Sequence, residues 1–382
     1  MSLLTACGSP LSAPRGVVTP VATEWAAEGV ERGVDVAFND AYLERAELNE
    51  SLCRANPRNT DKALLRLING ARDHIDGAFY DIEDLGVVDA LLRARKRGVT
   101  IRLVTDSDNM VEKAHPDQAR QAISRLKGAG IPVIDDRRSG IMHHKFMVVD
   151  SRVVWTGSTN LTPTSLYRHN NNALTIRQAR LASAFEREFE RLFVRREFGK
   201  AARVESLPSD IISIGEGATV QAFFSPAGRG RAAVVKELQG ARQRIRFMTF
   251  SLTDPETGAT LIERSRAGVK VEGIFDRWLA AGQFSLFEKF KAAKLEVRKD
   301  GNEALMHHKI IVVDSGTVIT GSYNYSQNAE NNNNEAFLIF RGARNLARAY
   351  TGEYDRLRHA AITNRPPAYK APDPEGQAAE GP

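Results

Sequence analysis

Cysteine is nearly absent from this 382-residue chain: Cys7 and Cys53 are its only two. Neither sits in the cysteine-pair and histidine spacing of a zinc site. No run of 18 apolar residues occurs, so no helix is expected to cross a membrane. Charge of one sign is not in large excess either. Fifty-three Lys and Arg against 47 Asp and Glu leave a formal +6, a mild preference for polyanions or anionic surfaces that a solvated basic surface explains as well. What remains is ordinary for a soluble globular protein, 42% hydrophobic and 26% charged, and long enough for two domains with cores of their own.

The amino terminus carries Leu4-Thr5-Ala6-Cys7, which resembles a bacterial lipoprotein cleavage box, although only six residues precede Cys7. Either a leader begins upstream or the match is chance. The preferred expectation is an exported protein, lipid-anchored at Cys7. A chance match leaves a cytoplasmic one.

Residues 1–58 lack a clear period and read as a leader or tail, with a helix somewhere in 40–54. From residue 59 to 199, strand and helix patterns alternate. A helical DKALLRLINGARDH precedes the alternating IDGAFYDI; a helix closed by Gly98 precedes VTIRLVTD; an amphipathic ARLASAFEREFERLF ends the run. Residues 200–216 read as a linker, 217–363 repeat the order, and 364–382 look disordered. The halves align at an offset of 170 from His74 to Asp106 and of 164 from Ile131 to Asn160, so six residues are gained or lost after Asp106. The alternation predicts an α/β fold of two similar lobes, each a mixed β-sheet flanked by helices, related by a pseudo-twofold axis.

The longest repeated stretch is MHHKFMVVDSRVVWTGSTN from Met142, returning as MHHKIIVVDSGTVITGSYN from Met306. Each copy reads H-x-K, four residues, Asp, six residues, G-S-x-N. FMVVD and IIVVD are short apolar strands. Strand alternation points His143 with Lys145, and His307 with Lys309, and gives Asp150 and Asp314 the other parity, hence a structural role tying strand to turn. Gly157 and Gly321 are expected to let the backbone turn tightly near a ligand. Ser158, Asn160, Ser322 and Asn324 can donate to phosphoryl oxygens, and Lys145 and Lys309 add positive charge, so no metal or cofactor is required. One neutral imidazole can attack phosphorus while a protonated one gives its proton to the leaving oxygen.

At these residues the chain resembles the phospholipase D superfamily, whose signature both copies match in full. The resemblance covers roughly residues 60–362. It implies a two-lobed α/β fold with one active site at the lobe interface, and a metal-independent phosphodiesterase with a phosphohistidine intermediate. Family order makes His143 the nucleophile and His307 the general acid. It also implies a carboxylate downstream of G-S-x-N that takes the imidazole's other N–H. Glu335 fits that place in the second half and is expected to orient His307; in the first half the place falls on Asn171 or Asn172. On that pattern the two histidines' roles could be exchanged, and Asp81, Asp106, Asp254 and Asp276 stay open as orienting groups.

Other residues have blander readings. His144 and His308 point to the opposite face and read as packed structural residues. The asparagine runs 170–172 and 331–334 are either solvated loop or partly structural. Trp155 reads as core. Trp278, with Phe284 and Phe287, either packs or lines an apolar approach, and His74, His115, His169 and His359 have no motif context. Three functions compete. The first is hydrolysis or transfer of phospholipid headgroups, with peripheral membrane contact. The second is an endonuclease, since GSYNYSQNAENNNNE is similar to the small bacterial endonuclease branch of the superfamily. The third is a non-catalytic phosphate-binding module. Two motifs in one chain make a monomer sufficient.

Overall fold

The computed structural model describes residues 30–39, 50–112, 114–201, 209–226 and 229–363. Cys7 and residues 364–382 lie outside them.

The first half builds α1 (Glu50–Ala55), α2 (Thr60–Gly70), α3 (Leu85–Lys96), α4 (Gln121–Gly128), α5 (Pro163–Tyr167) and α6 (Ala179–Phe193) around strands β1 (Val34–Phe38), β2 (His74–Phe79), β3 (Thr100–Thr105), β6 (Val133–Asp135), β7 (Lys145–Val149), β8 (Val153–Gly157) and β9 (Asn172–Arg177). A hairpin of β4 (Val111–Glu112) and β5 (His115–Ala119) stands apart from the sheet. The second half has β10 (Ile212–Gly215), β11 (Ala218–Ser225), β12 (Arg244–Thr249), β13 (Lys270–Phe275), β14 (Glu296–Lys299), β15 (Lys309–Val313), β16 (Thr317–Gly321) and β17 (Glu335–Arg341). Its helices are α7 (Gly230–Gln239), α8 (Pro255–Arg266), α9 (Phe287–Ala292), α10 (Gln327–Asn331) and α11 (Arg344–Thr363).

Both sheets are mixed. The first runs β1-β9-β8-β7-β2-β3-β6 and the second β10-β11-β17-β16-β15-β12-β13-β14. In each, the two pairs reached through a crossover helix are parallel and the rest are antiparallel. A shared interior joins the lobes: it takes Phe146, Val148 and Leu174 from one sheet, Ile310, Val312 and Leu338 from the other, and the apolar stripes of α6 and α11. On α6 that stripe is Leu181, Phe185, Phe189 and Leu192, at helical spacing. Separate apolar clusters cover the outer faces beneath α2–α4 and α7–α9.

Two boundaries differ from the sequence reading. The supposed leader supplies β1, which pairs antiparallel with β9 from Val34↔Ile176 to Phe38↔Asn172. It occupies the place that β11 holds beside β17, so the first lobe begins before residue 59. VDVAF alternates as a strand should, but five residues within a segment without period leave little signal. Within the supposed linker 200–216, Ile212–Gly215 forms β10 against β11. The six residues gained after Asp106 accompany the β4–β5 hairpin, where the second lobe has only a short 3-10 turn, Leu279–Ala281.

The motif glycines make room for a neighbouring strand rather than for a ligand. A Cβ on Gly157 would lie 2.2 Å from the Asn172 carbonyl oxygen, and one on Gly321 would lie 2.3 Å from that of Ala336. Backbone atoms cannot give way as a flexible side chain can. Gly157→Ala and Gly321→Ala should each destabilise the fold by about 1–3 kcal/mol, the usual range for overpacking, read as a lower urea midpoint. A midpoint unchanged in both would contradict this packing.

Candidate active site

Asp106 and Asp276 close the parallel strands β3 and β13 and fix the residue just before each H-x-K. Asp106 accepts from the Met142 N–H at 2.7 Å, and Asp276 from the Met306 N–H at 3.0 Å. From there each segment crosses to the other lobe. His143 N–H donates to the Asn334 carbonyl (2.9 Å) and Asn334 N–H to that of Ile141 (3.0 Å). His307 N–H donates to the Asn170 carbonyl and Asn170 N–H to that of Leu305, both at 2.9 Å. The two short parallel bridges, Met142↔Asn334 and Asn170↔Met306, are mates under the pseudo-twofold axis.

A side chain clamps each bridge. Arg138 donates to the carbonyls of Asn332 and Ile141 and to Asn334 Oδ1, at 2.7–2.8 Å. Asn302 makes the mirrored set, to the carbonyls of Arg168 and Leu305 and to Asn170 Oδ1, at 2.7–3.2 Å. An arginine and an asparagine do not look alike in sequence, and neither drew notice there.

The crossing decides what the histidines touch, and it corrects one expectation. Glu335 does not orient His307. It follows Asn334 directly, so the bridge carries it to the first lobe, where both its oxygens lie 2.8–2.9 Å from His143 Nδ1. Asn171 follows Asn170 and reaches His307 in the same way: Asn171 Oδ1 and the Ser158 carbonyl lie 2.9 and 3.0 Å from His307 Nδ1. A carboxylate, a carbonyl and an amide oxygen accept here, so Nδ1 carries a proton in both rings. Asn171 is oriented by its own Nδ2, which donates to the Ser165 carbonyl at 2.9 Å.

Burial, then the positive charge of Lys309 and the neighbouring His169, Lys145 and His143, push the His307 pKa well below the ordinary imidazole value. His169 was assigned no role from sequence. Its half-buried ring stands 5.9 Å from that of His307, and burial, with Arg168 and Lys309, pushes its pKa down to about 3. It has no counterpart in the repeat, where Asn333 takes its place, and so the repeat could not flag it. Tyr80 lies against His143 (5.3 Å between centroids) and Phe250 against His307 (4.8 Å).

The motif serines are a second correction. Ser158 Oγ donates to Asn171 Oδ1 (2.7 Å) and Ser322 Oγ to Glu335 Oε2 (2.6 Å). A hydroxyl has one proton to give, so these serines support the groups that hold the imidazoles and do not donate to phosphoryl oxygens. Lys145 and Lys309 are buried, and each ammonium donates to the carbonyl of its own motif histidine at 3.0–3.1 Å. Asn160 and Asn324 each keep a buried amide oxygen without a protein partner. Asp150 accepts the N–H groups of Arg72, Asp73 and His74, and Asp314 those of Arg242, Gln243 and Arg244.

His144 and His308 turn inward. Nε2 of His144 meets Glu188 on α6 at 2.9 Å, and Nε2 of His308 meets Glu353 on α11 at 3.0 Å; Arg191 and Arg356 complete the two networks. Asn172, also buried, donates to Thr320 Oγ1 and the Tyr350 hydroxyl across the lobes. The asparagines of 170–172 are therefore interface and not solvated loop. Of the other carboxylates held open as orienting groups, Asp81 pairs with Arg120 and Asp254 with Arg231. Among the described residues, no group of three His, Cys, Asp or Glu side chains is placed to hold a metal ion.

Burial pushes the Asp106 and Asp276 carboxyls up to about 7. An unfolded aspartate titrates near ~3.9, so the folded protein binds more protons between about pH 4 and 7. The stabilisation is full below that window and is lost as pH rises through 7. In Asp106→Asn, the decline in urea-unfolding stability between about pH 5 and 7.5 should flatten relative to the parent. An unchanged slope would contradict the assignment.

Comparison with known proteins identifies the family and the fold. The family model described as cardiolipin synthase, PLD-like domain, matches residues 64–193 and 234–358. A mitochondrial cardiolipin hydrolase of Xenopus laevis is 34% identical over 144 residues, 37% of this chain and 66% of that protein. A phospholipase D of Rickettsia bellii is 30% identical over 131 residues, 34% of this chain and 65% of that one. The chain thus spans just under two thirds of the length of these relatives. The crystal structure of a phosphatidylserine synthase from Haemophilus influenzae Rd KW20 shares the fold, with a TM-score of 0.60 over 79% of this chain and 85% of that one at 13% identity. The family match takes in both lobes and both H-x-K motifs, and the chain belongs to the phospholipase D superfamily.

Proposed function

We propose that the protein is a phosphodiesterase that cleaves or transfers the headgroup of a glycerophospholipid through a phosphohistidine on His143. One observation carries the assignment of roles: the imidazole partners differ in type, the Glu335 carboxylate on His143 against the Asn171 amide and the Ser158 carbonyl on His307. A carboxylate raises the basicity of the ring it holds and stabilises the positive charge that forms when Nε2 attacks; an amide does so less. The reading in which the roles are exchanged loses its support, because the carboxylate that suggested it sits on the other histidine.

In the first step His143 Nε2 bonds to phosphorus, the bond from phosphorus to the leaving oxygen breaks, and His307 Nε2–H gives that oxygen its proton. In the second, His307 takes a proton from water or an alcohol, whose oxygen bonds to phosphorus as the phosphorus–nitrogen bond breaks. Lys145 and Lys309 supply positive charge to the phosphoryl oxygens. Asn160 and Asn324 can turn their amides so that N–H₂ replaces the unpartnered oxygen and faces the anion. Burial, and after it the lysines, depress His307 in the resting site, and a bound phosphodiester anion offsets the lysines and so favours the proton that a general acid needs.

The lipid reading is supported by the descriptions of the family and its relatives, and by the Leu4–Cys7 box if it marks an exported, anchored protein. Nucleic acid is the second reading, favoured by the +6 charge, and its binding would weaken steeply with salt.

The test is an assay with chelator present on vesicles of cardiolipin, phosphatidylglycerol or phosphatidylcholine, beside single- and double-stranded DNA. Lipid should turn over and DNA remain intact; cleaved DNA with untouched lipid would replace the first reading by the second. His143→Ala and His307→Ala should fall to background on every substrate, and turnover surviving in both would sink the chemistry. Glu335→Gln should lower kcat by roughly 10²- to 10⁴-fold, the usual span of acid–base assistance, with KM little changed.

A further inference from the structure

At the end of the second sheet away from the histidines lies a cleft of about 510 Å³. Its wall is formed by Arg244 and Arg246, two apart on β12, and by Arg344 and Arg348, four apart on α11, with Ser315 and Thr351 between them. Residues two apart on a strand and four apart on a helix share a face, so four guanidinium groups converge on one space. Arg244 opens β12, whose last residue, Thr249, pairs with Lys309, and Asp314 follows the far end of β15. Five strand residues, roughly 17 Å, therefore separate the cleft from the active-site lysine.

The cations outnumber their partners. Glu272 serves Arg244 (3.1 Å), Arg246 (3.4 Å) and Lys270 (2.7 Å); beyond it, Glu296 stands 3.7 Å from Lys270 and Asp355 3.9 Å from Arg246. Asp314 spends both oxygens on the backbone N–H groups of residues 242–244. Arg344 and Arg348 are exposed, and no ion pair to either occurs among the described residues. Like charges at this spacing on a helix repel, and an anion between them removes the repulsion.

The other lobe is an internal control. The counterparts of Arg244, Arg246, Arg344, Arg348 and Thr351 are His74, Asp76, Ala179, Ser183 and Glu186. There Glu186 reaches His74 at 3.2 Å and Ser151 at 2.5 Å and closes the space. In the second lobe the short Thr351 leaves it open, and arginines replace the neutral and acidic residues. The fold does not require a basic cleft at this position.

We propose that the cleft is a second anion site, separate from the catalytic one, that takes a small soluble compound with two or more phosphoryl groups. Its volume suits a small molecule, and paired guanidinium groups suit phosphoryl oxygens.

The test is calorimetric titration of the full chain with inorganic pyrophosphate at about 100 mM salt, where exposed charges are screened beyond about 10 Å. The pair Arg344→Ala and Arg348→Ala should weaken binding by roughly tenfold or more, as loss of charge-assisted bonds does, while its thermal melt and its turnover of a generic phosphodiester stay unchanged. The pair Lys145→Ala and Lys309→Ala should keep the binding. Pyrophosphate binding that survives the arginine pair, or is lost with the lysine pair, would overturn the proposal. So would a chain that ignores pyrophosphate but needs the arginines to bind vesicles of anionic lipid.

Discussion

Two short backbone bridges, Met142 to Asn334 and Asn170 to Met306, hold this molecule's chemistry in place. Each lobe alone presents an H-x-K segment and, one strand further on, a residue that could hold an imidazole. Neither lobe brings its own pair together. The bridges exchange the partners, so that Glu335 of the second lobe holds His143 of the first and Asn171 of the first holds His307 of the second. A site assembled by exchange depends on both lobes docking, and most of the polar groups at the interface are paired, although Nδ2 of Asn170 and of Asn334 is buried without a partner. Buried donors and acceptors left unpaired there would each cost about 1–3 kcal/mol. Arg138, Asn302, Ser158, Ser322 and Asn172 are the side chains that prevent it.

The half-sites share their geometry and differ in charge. Around His143 stand a carboxylate, Glu335, and a guanidinium, Arg138; around His307 the matching places hold two amides, Asn171 and Asn302. The carboxylate on one imidazole and the amide on the other make the two unequal, while Arg138 has its own carboxylate partner in Asp136. Symmetry of the backbone repeats the histidine, and the loss of symmetry in its partners is what the proposed division into nucleophile and acid rests on. The arginine cleft follows the same pattern at the other end of the sheet: duplicated architecture with a charge difference laid on one copy.

Much of this was legible in the sequence. The repeated H-x-K and G-S-x-N residues, the strand–helix order and the offset between halves led to two α/β lobes because period and spacing act locally, within each copy. The structure departs from that reading where contacts run between distant segments. β1 has five residues and a partner in β9, far along the chain, so its short alternation marks it only weakly as a strand. Glu335 was given to the histidine of its own half, because strand parity compares neighbours and says nothing of a bridge between lobes. Ser158 and Ser322 have the right chemistry for phosphoryl oxygens, and only their depth beneath the site shows that their protons go to Asn171 and Glu335. His169 breaks the repeat, so comparison of the halves passed over it.

On the proposed reading, the exchange of partners makes His143, and not His307, the group that bonds to phosphorus. Quenching the enzyme during turnover and mapping the acid-labile phosphoryl or phosphatidyl adduct by mass spectrometry locates that bond directly. The adduct should be found on the peptide carrying His143; in His307→Ala, which lacks the first-step acid as well as the second-step base, it should form only from a substrate whose leaving group needs no proton, such as a nitrophenolate. An adduct on the His307 peptide would mean that the carboxylate does not select the nucleophile, and the reading of the crossed lobes would fail.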